Sequence, residues 1–530
     1  MIERRSLLAG TAVLPLLATF DVGDAKAATP KGIVVMAKQI DDIVSFDPGE
    51  AYEFSDNEVD NNCYRKLVRP AGGDSLAGDL AEKWDVSPDG LTFTFHLRKD
   101  AHFASGKPVT AADAAFSFER TVMMDKTPAF IVTQFGFNKD NVTKLIRAKD
   151  EHTLIFQLPE VAATSFVLYC LSANVGCIVE KAAAMANAKD GDYGNGWLKT
   201  HSAGAGAYQL TSWSASDHVI LDANPHFGGP VREKRIVIRH VADPATQLLL
   251  LQRGDVDIAR DLGSDQLKAI AGSKDFHSVA AGQADSMYIA MNQAVPVLQK
   301  PEVHQAIRWA IDYEAIAKNI TPGTWSVDQS FLPAGLPGAL TATPFHRDVA
   351  KAKALLAAAG LANGFSITMD YISASPYGEI AQAVQQNLAD VGIKVQLLPG
   401  EQKQVITKTR ARTHQLAMLV WGSDYFDPNS NAQAFCANPD DSDKSTLKII
   451  AWRNHFVNAT LTKQALEAAK ELDAKKRIAL YHTMQQEFWK DAPFAFVLQK
   501  NAVATMRKGV TGIVMGPLPD YTRYAAITKA

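Results

Sequence analysis

Hydrophobic and polar positions alternate strictly over Leu91-Thr92-Phe93-Thr94-Phe95-His96-Leu97, the period-two pattern of a half-buried strand. Asp89-Gly90 just before it is a turn signal, so residues 83–86 and 91–98 are predicted to form a hairpin. Thr110 followed by Asp113 opens a helix with a capping-box pattern that continues to Arg120. Residues 231–240 read as a strand, and residues 245–253 as a helix ending at Gly254.

The second half of the chain is richer in helical periodicity. Val303, Ala306, Ile307, Ala310 and Ile311 fall at helical spacing and predict one amphipathic helix over residues 302–318. Residues 348–359 form another, stopped by Gly360. A strand at 365–371, a helix at 378–391 and a strand at 392–398 make a βαβ-like unit, and two further helical stretches occupy 463–490. The run Leu416-Ala417-Met418-Leu419-Val420 is short, apolar and bounded by turn residues, which reads as a buried strand. It leads into Trp421-Gly422-Ser423-Asp424-Tyr425-Phe426-Asp427-Pro428, so a carboxylate, Asp424, stands among aromatics at the end of a core strand. Asp427-Pro428 reads as a turn opener. The physical pattern alone gives an α/β pair of lobes with an inserted subdomain.

Length and composition set the scale. At 530 residues the chain divides into two or three units, and 47% hydrophobic with 21% charged residues is ordinary globular composition. A net charge of −3 with no basic block gives no electrostatic case for nucleic acid. The N-terminus changes the picture most. Arg4-Arg5, an apolar stretch to about Phe20 and Ala25-Lys26-Ala27 make an export signal over residues 1–27, of twin-arginine or Sec type, cleaved near Ala27. The chain is therefore expected in the periplasm. No cysteine stands at the cleavage site, and an oxidising compartment would permit a Cys170–Cys177 pair; Cys63 and Cys436 complete the set.

A search for catalytic chemistry finds no GxSxG elbow and no HExxH, and the 13 histidines lack metal-ligand spacing. His96 reads as a solvent-facing strand residue, and Glu379 and Asp390 as solvated helix charges. Gly106-Lys107 lacks the first glycine of a phosphate loop, with Ala101 in its place, and Gly204-Ala205-Gly206 opens no helix. In an exported, two-lobed α/β protein this favours binding over turnover, with no cofactor and no metal.

Five stretches in order resemble the family 5 extracellular solute-binding proteins, the dipeptide- and oligopeptide-binding proteins of bacterial ABC importers. They are residues 79–120, 204–229, 247–259, 304–316 and 421–432, and the resemblance covers essentially the whole mature chain. It implies a bilobal, periplasmic-binding-protein-like α/β fold of type II, in its large three-domain form, closing on solute like a flytrap. One lobe would comprise 28–62, 200–285 and 497–530, with 63–199 inserted in it; the other would be 286–496. The crossings would fall near Met287–Gln293 and Phe494–Gln499. The partners implied are a short peptide or related solute and the permease subunits of an importer, with the chain acting as a monomer. A non-peptide solute (an opine, a glycoside, glutathione, a metal or haem complex) is the alternative within the family; an exported hydrolase or a periplasmic chaperone lies outside it.

The same resemblance places a ligand's ammonium on Asp424, three residues after Trp421. A desolvated ion pair at about 4 Å is worth roughly 4 kcal/mol at an effective dielectric near 20, before desolvation costs. Trp421 and Tyr425 are expected to add cation–π attraction and to exclude water. The sequence departs from the family's pattern at His304 and at Arg65. For a ligand carboxylate, Arg308 is a candidate, against the reading of a surface arginine.

Overall fold

The computed structural model describes residues 29–72 and 75–530; the export signal expected over 1–27 lies outside them. One sheet of 11 strands runs through the molecule. Its centre is two long strands, Phe276–Met291 and Phe494–Arg507, paired antiparallel over most of their length. On one side of this pair stand Leu416–Gly422, Phe365–Ile372 and Ile393–Gly400; on the other stand Ile258–Ala259, Ile33–Lys38, Arg235–His240, His218–Ala223 and Tyr208–Ser214. The short strand Trp325–Val327 pairs separately with Phe494–Arg507.

The two central strands carry the chain from one half of the sheet to the other. Residues 276–282 pair with 501–507, residues 286–290 pair with 494–499, and the register slips between Gly282 and Ser286. There the Gln499 side-chain amide takes over from the ladder, donating to the carbonyls of Gln283 and Ala334, both at 2.8 Å. A Cβ on Gly282 would stand 3.0 Å from that amide nitrogen, so glycine makes the room. A second register slip falls between Met287 and Tyr288, within the crossing expected at Met287–Gln293, while Met287–Met291 also pairs with Leu416–Val420.

The hairpin forms as expected, with Ala81–Val86 antiparallel to Thr92–Leu97 in a separate four-stranded sheet. Phe93 and Phe95 point into a core with Phe118 and Phe156. On the opposite face His96 Nε2 sits 2.9 Å from Asp85. Thr110 and Asp113 make the full capping box of helix Ala111–Met124. The strand expected over 231–240 is confined to Arg235–His240. Helix Pro244–Arg253 ends at Gly254, whose φ of 86° is the left-handed cap that glycine adopts without strain.

In the second half, Phe365–Ile372 and Ile393–Gly400 pair in parallel, with helix Tyr377–Ala389 crossing between them. Ile380, Val384 and Leu388 of this helix join Met369 and Met418 in one core. The single helix expected over 302–318 is two: Pro301–Ala310 and Tyr313–Asn319. Ile311 is extended, and Asp312 accepts the Ala315 N–H to cap a new helix. An N-capping aspartate competes successfully with helix continuation because it satisfies an otherwise orphaned donor. Helices Ala459–Ala468 and Ala474–Asp491 account for the last helical stretch.

The arginine read as a surface residue is interior. Arg308 is 2% exposed and donates to the main-chain oxygens of Phe494 (3.0 Å), Trp489 (2.9 Å) and Ala492. Those of Trp489 and Ala492 belong to the end of helix Ala474–Asp491, where unpaired carbonyls attract a cation. Arg308 is therefore neither a surface arginine nor free to bind a ligand carboxylate. His304 is likewise buried, with Nδ1 3.0 Å from the Asp491 carbonyl. Arg65 pairs with Asp79 at 2.7 Å. All four cysteines are free and buried, including Cys170 and Cys177.

Candidate functional site

Asp424 follows the last residues of the strand Leu416–Gly422, and local hydrogen bonds fix how it leaves the sheet. The Ser423 N–H donates to the Ala284 carbonyl at 2.9 Å, and Ser423 Oγ donates to Asn431 Oδ1 at 2.6 Å. The Asp424 N–H donates to Ser430 Oγ at 2.9 Å. Gly422 leaves room for a neighbouring carboxylate. A Cβ at this position would meet Asp285 Oδ1 at 2.9 Å, so any larger residue would push a carboxylate out of place.

The Asp424 carboxylate accepts a 2.6 Å hydrogen bond from the Tyr52 hydroxyl and a long 3.5 Å contact from Ser430 Oγ. It forms no ion pair among the described residues. Burial raises its pKa above the ordinary 3.8, partly opposed by the Tyr52 and Ser430 hydrogen bonds. It borders a cavity of about 250 Å³ whose other walls include Tyr52, Phe54, Asn57 and Asn174. The charged side chains on this cavity are Glu53, Asp424 and Asp520, all acidic, and Asp520 already faces Lys66 at 3.7 Å. A half-buried carboxylate with spare acceptor capacity and no cation beside it is chemically a receptor for a donor-rich positive group.

The aromatic surroundings differ from expectation. Tyr425 is 1% exposed and turned into the core, its ring centroid 5.7 Å from that of Phe166 and its hydroxyl near Gln134 and Asn429. Trp421 packs edge-on against Phe435 at 6.0 Å and does not border the cavity. The rings that do border it are Tyr52 and Phe54, the latter 44% exposed. A two-residue walk along a strand keeps the same face, and the turn after Gly422 breaks that count. Tyr425 consequently anchors the loop rather than lining the cavity. Tyr52 was invisible to sequence reasoning because it lies 372 residues away from its partner. The acidic and aromatic run Glu50-Ala51-Tyr52-Glu53-Phe54 was the available signal.

Asp427 does open a turn, its carboxylate accepting the Asn429 N–H at 2.8 Å. It also makes a two-pronged ion pair with Arg477, at 2.6 and 2.8 Å, with both residues fully buried. Beside the Asp424 cavity lies a second hollow of about 520 Å³, and the two share Phe54, Leu518 and Pro519. It is bounded by Lys38 of strand Ile33–Lys38, by Tyr377 of helix Tyr377–Ala389, and by the crossing strand itself at Lys500. A wider groove of about 1260 Å³ lies along helices Ala459–Ala468 and Ala474–Asp491, and Asp424 does not border it.

Two α/β lobes joined by long crossing strands, with an inserted subdomain and a cleft between the lobes, define the type II class of binding protein. This chain belongs to the bacterial extracellular solute-binding proteins of family 5, whose model matches residues 75–443. It is 30% identical over 523 residues to a "Probable D,D-dipeptide-binding periplasmic protein" of Escherichia coli K12, covering 97% of this chain and 98% of that one. A glutathione-binding protein of Pectobacterium atrosepticum is 26% identical, covering 89% and 90% of the two chains. Among solved structures, a periplasmic binding protein of Helicobacter pylori in complex with the peptide STSA superposes with a TM-score of 0.73 at 24% identity. That match covers 94% of this chain and 98% of the other.

Proposed function

We propose that this chain is the exported substrate-binding component of an ABC importer, capturing dipeptides or short peptides in the interlobe cleft and delivering them to a membrane permease. It works in the periplasm as a monomer and without chemical turnover. Residues 28–62, 200–285 and 497–530 form one lobe, 63–199 its inserted subdomain, and 286–496 the other. Asp424 receives the ligand's ammonium. The observation that carries this reading is a carboxylate with no cationic partner, hydrogen-bonded by Tyr52 and opening on a cavity whose charges are all negative. The full-length likeness to a relative described as D,D-dipeptide-binding agrees with it.

Glutathione fits this end of the cleft less well. It carries two carboxylates for one ammonium, and among the described residues no lysine, arginine or histidine borders the Asp424 cavity. Affinity for peptides would come mainly from termini and backbone, with water filling space around variable side chains.

The test is titration of the mature protein with dipeptides and with their N-acetylated forms, alongside mass spectrometry of whatever copurifies. Free peptides are expected to bind and to be recovered intact, and acetylation to weaken binding more than tenfold. Equal affinity for free and acetylated peptides would remove the ammonium role, and cleaved peptides would show an enzyme.

A further inference from the structure

Three cations border the larger hollow of the cleft: Lys38, Arg260 and Lys500. Two are already engaged. Lys38 donates to Ser55 Oγ at 2.7 Å and lies 3.2 Å from Glu58. Arg260 makes a two-pronged pair with the same glutamate. Lys500 is exposed and makes no hydrogen bond or ion pair among the described residues. The Asp424 cavity, which shares Phe54, Leu518 and Pro519 with this hollow, is bordered by no cation among the described residues.

The sheet gives the spacing of the strands that carry the two ends. Gly422, two residues before Asp424, stands opposite Asp285 on the first crossing strand. Ser286, the next residue on that strand, stands opposite Gln499 on the second, immediately before Lys500. Two strand spacings, together about 10 Å, therefore separate the strand that delivers Asp424 from the one that carries Lys500. An extended chain of two or three residues spans about 7–10 Å. The charge of Lys500 also reaches the floor between them: burial raises the Asp285 pKa, and Lys500 partly offsets it.

We propose that Lys500 receives the carboxylate of a zwitterionic di- or tripeptide whose ammonium sits at Asp424, so that the crossing strands set the length of ligand the cleft accepts. The proposal rests on the peptide reading above and adds the position of the negative end. A lysine suits this role, because its compact charge on a flexible stem can follow ligands of slightly different length where a rigid fork could not. Its place on the strand joining the lobes means that a ligand held there touches the crossing itself.

The experiment is an affinity-capture screen of a dipeptide library, each member present as the free acid and as its C-terminal amide. The mature wild-type chain, Lys500→Gln and Lys500→Arg are compared, with calorimetry on the best binders. The wild type is expected to prefer free acids over amides by at least tenfold, Lys500→Gln to erase that preference while still binding amides, and Lys500→Arg to restore most of it. Persistence of the preference in Lys500→Gln, equal wild-type binding of acids and amides, or loss of both forms together in Lys500→Gln would each overturn the assignment and leave the peptide reading standing. A wild type that retains neither form would overturn the peptide reading, and the Lys500 assignment with it.

Discussion

Asp424 and Asp427 lie three residues apart on one loop and do opposite work. Asp427 is fully enclosed, and Arg477 satisfies it through two short bonds while also donating to Ser165, the Ala468 carbonyl and Tyr481. Its charge is cancelled inside the protein, and the cluster ties the loop to helix Thr164–Ser172 and to helix Ala474–Asp491. Asp424 has a tyrosine and a serine but no cationic partner among the described residues, and on the proposed reading the ligand's ammonium supplies one. Of these two carboxylates, the one with an internal counter-ion holds the loop, and the one without a counter-ion is the one that borders a cavity.

The largest effect should come from breaking the internal pair. Asp427→Ala leaves the Arg477 guanidinium buried and uncompensated, which typically costs about 3–5 kcal/mol. Urea unfolding should show a loss of that size. A change below about 1 kcal/mol would mean that the pair contributes little and that the two aspartates do not differ as described.

Asp424→Asn sharpens the contrast from the other side. It should lower affinity for free dipeptides by more than tenfold, about 1.4 kcal/mol, while leaving the unfolding midpoint unchanged or raised. The sign follows from linkage. The folded-state pKa of Asp424 lies above its unfolded value, so the stability contributed by the protonated carboxyl is present below 3.8 and lost as pH rises through the folded value. At neutral pH the empty site is therefore penalised, and a neutral amide relieves it. Binding has the converse dependence: affinity for an ammonium should fall as acidification protonates Asp424, with the midpoint above 3.8. Calorimetry across pH should find that limb in the wild type and a flat profile in Asp424→Asn. An identical limb in both would assign the titration elsewhere.

Local chemistry was legible in the sequence. The capping box at Thr110 and Asp113, the parallel unit between residues 365 and 400, and the strand leading to Asp424 depend on neighbours within a few residues, and periodicity or turn residues report them. Arg308 was misread because a charge on an amphipathic helix ordinarily marks the solvent face, whereas here the carbonyls ending another helix solvate it. The pairing of Asp427 with Arg477 spans 50 residues, and that of Asp424 with Tyr52 spans 372. Neither has a periodic signature. The family resemblance points to Asp424 but not to Tyr52, which the fold brings to it from a segment far away in the chain.

Tyr52→Phe should give the smallest effect and the most diagnostic one. The hydroxyl's 2.6 Å bond stabilises the ionised carboxylate and lowers the Asp424 pKa against the effect of burial. Removing it makes Asp424 more basic, which strengthens its pull on an ammonium even as it loosens its orientation. The two consequences oppose each other, so affinity at neutral pH should change by less than about tenfold, within the roughly 0.5–1.5 kcal/mol of one hydrogen bond. The acid limb of the binding profile, however, should move to higher pH, because protonation now competes earlier. A limb left in place would separate Tyr52 from the electrostatics of the site and reduce it to a wall of the cavity.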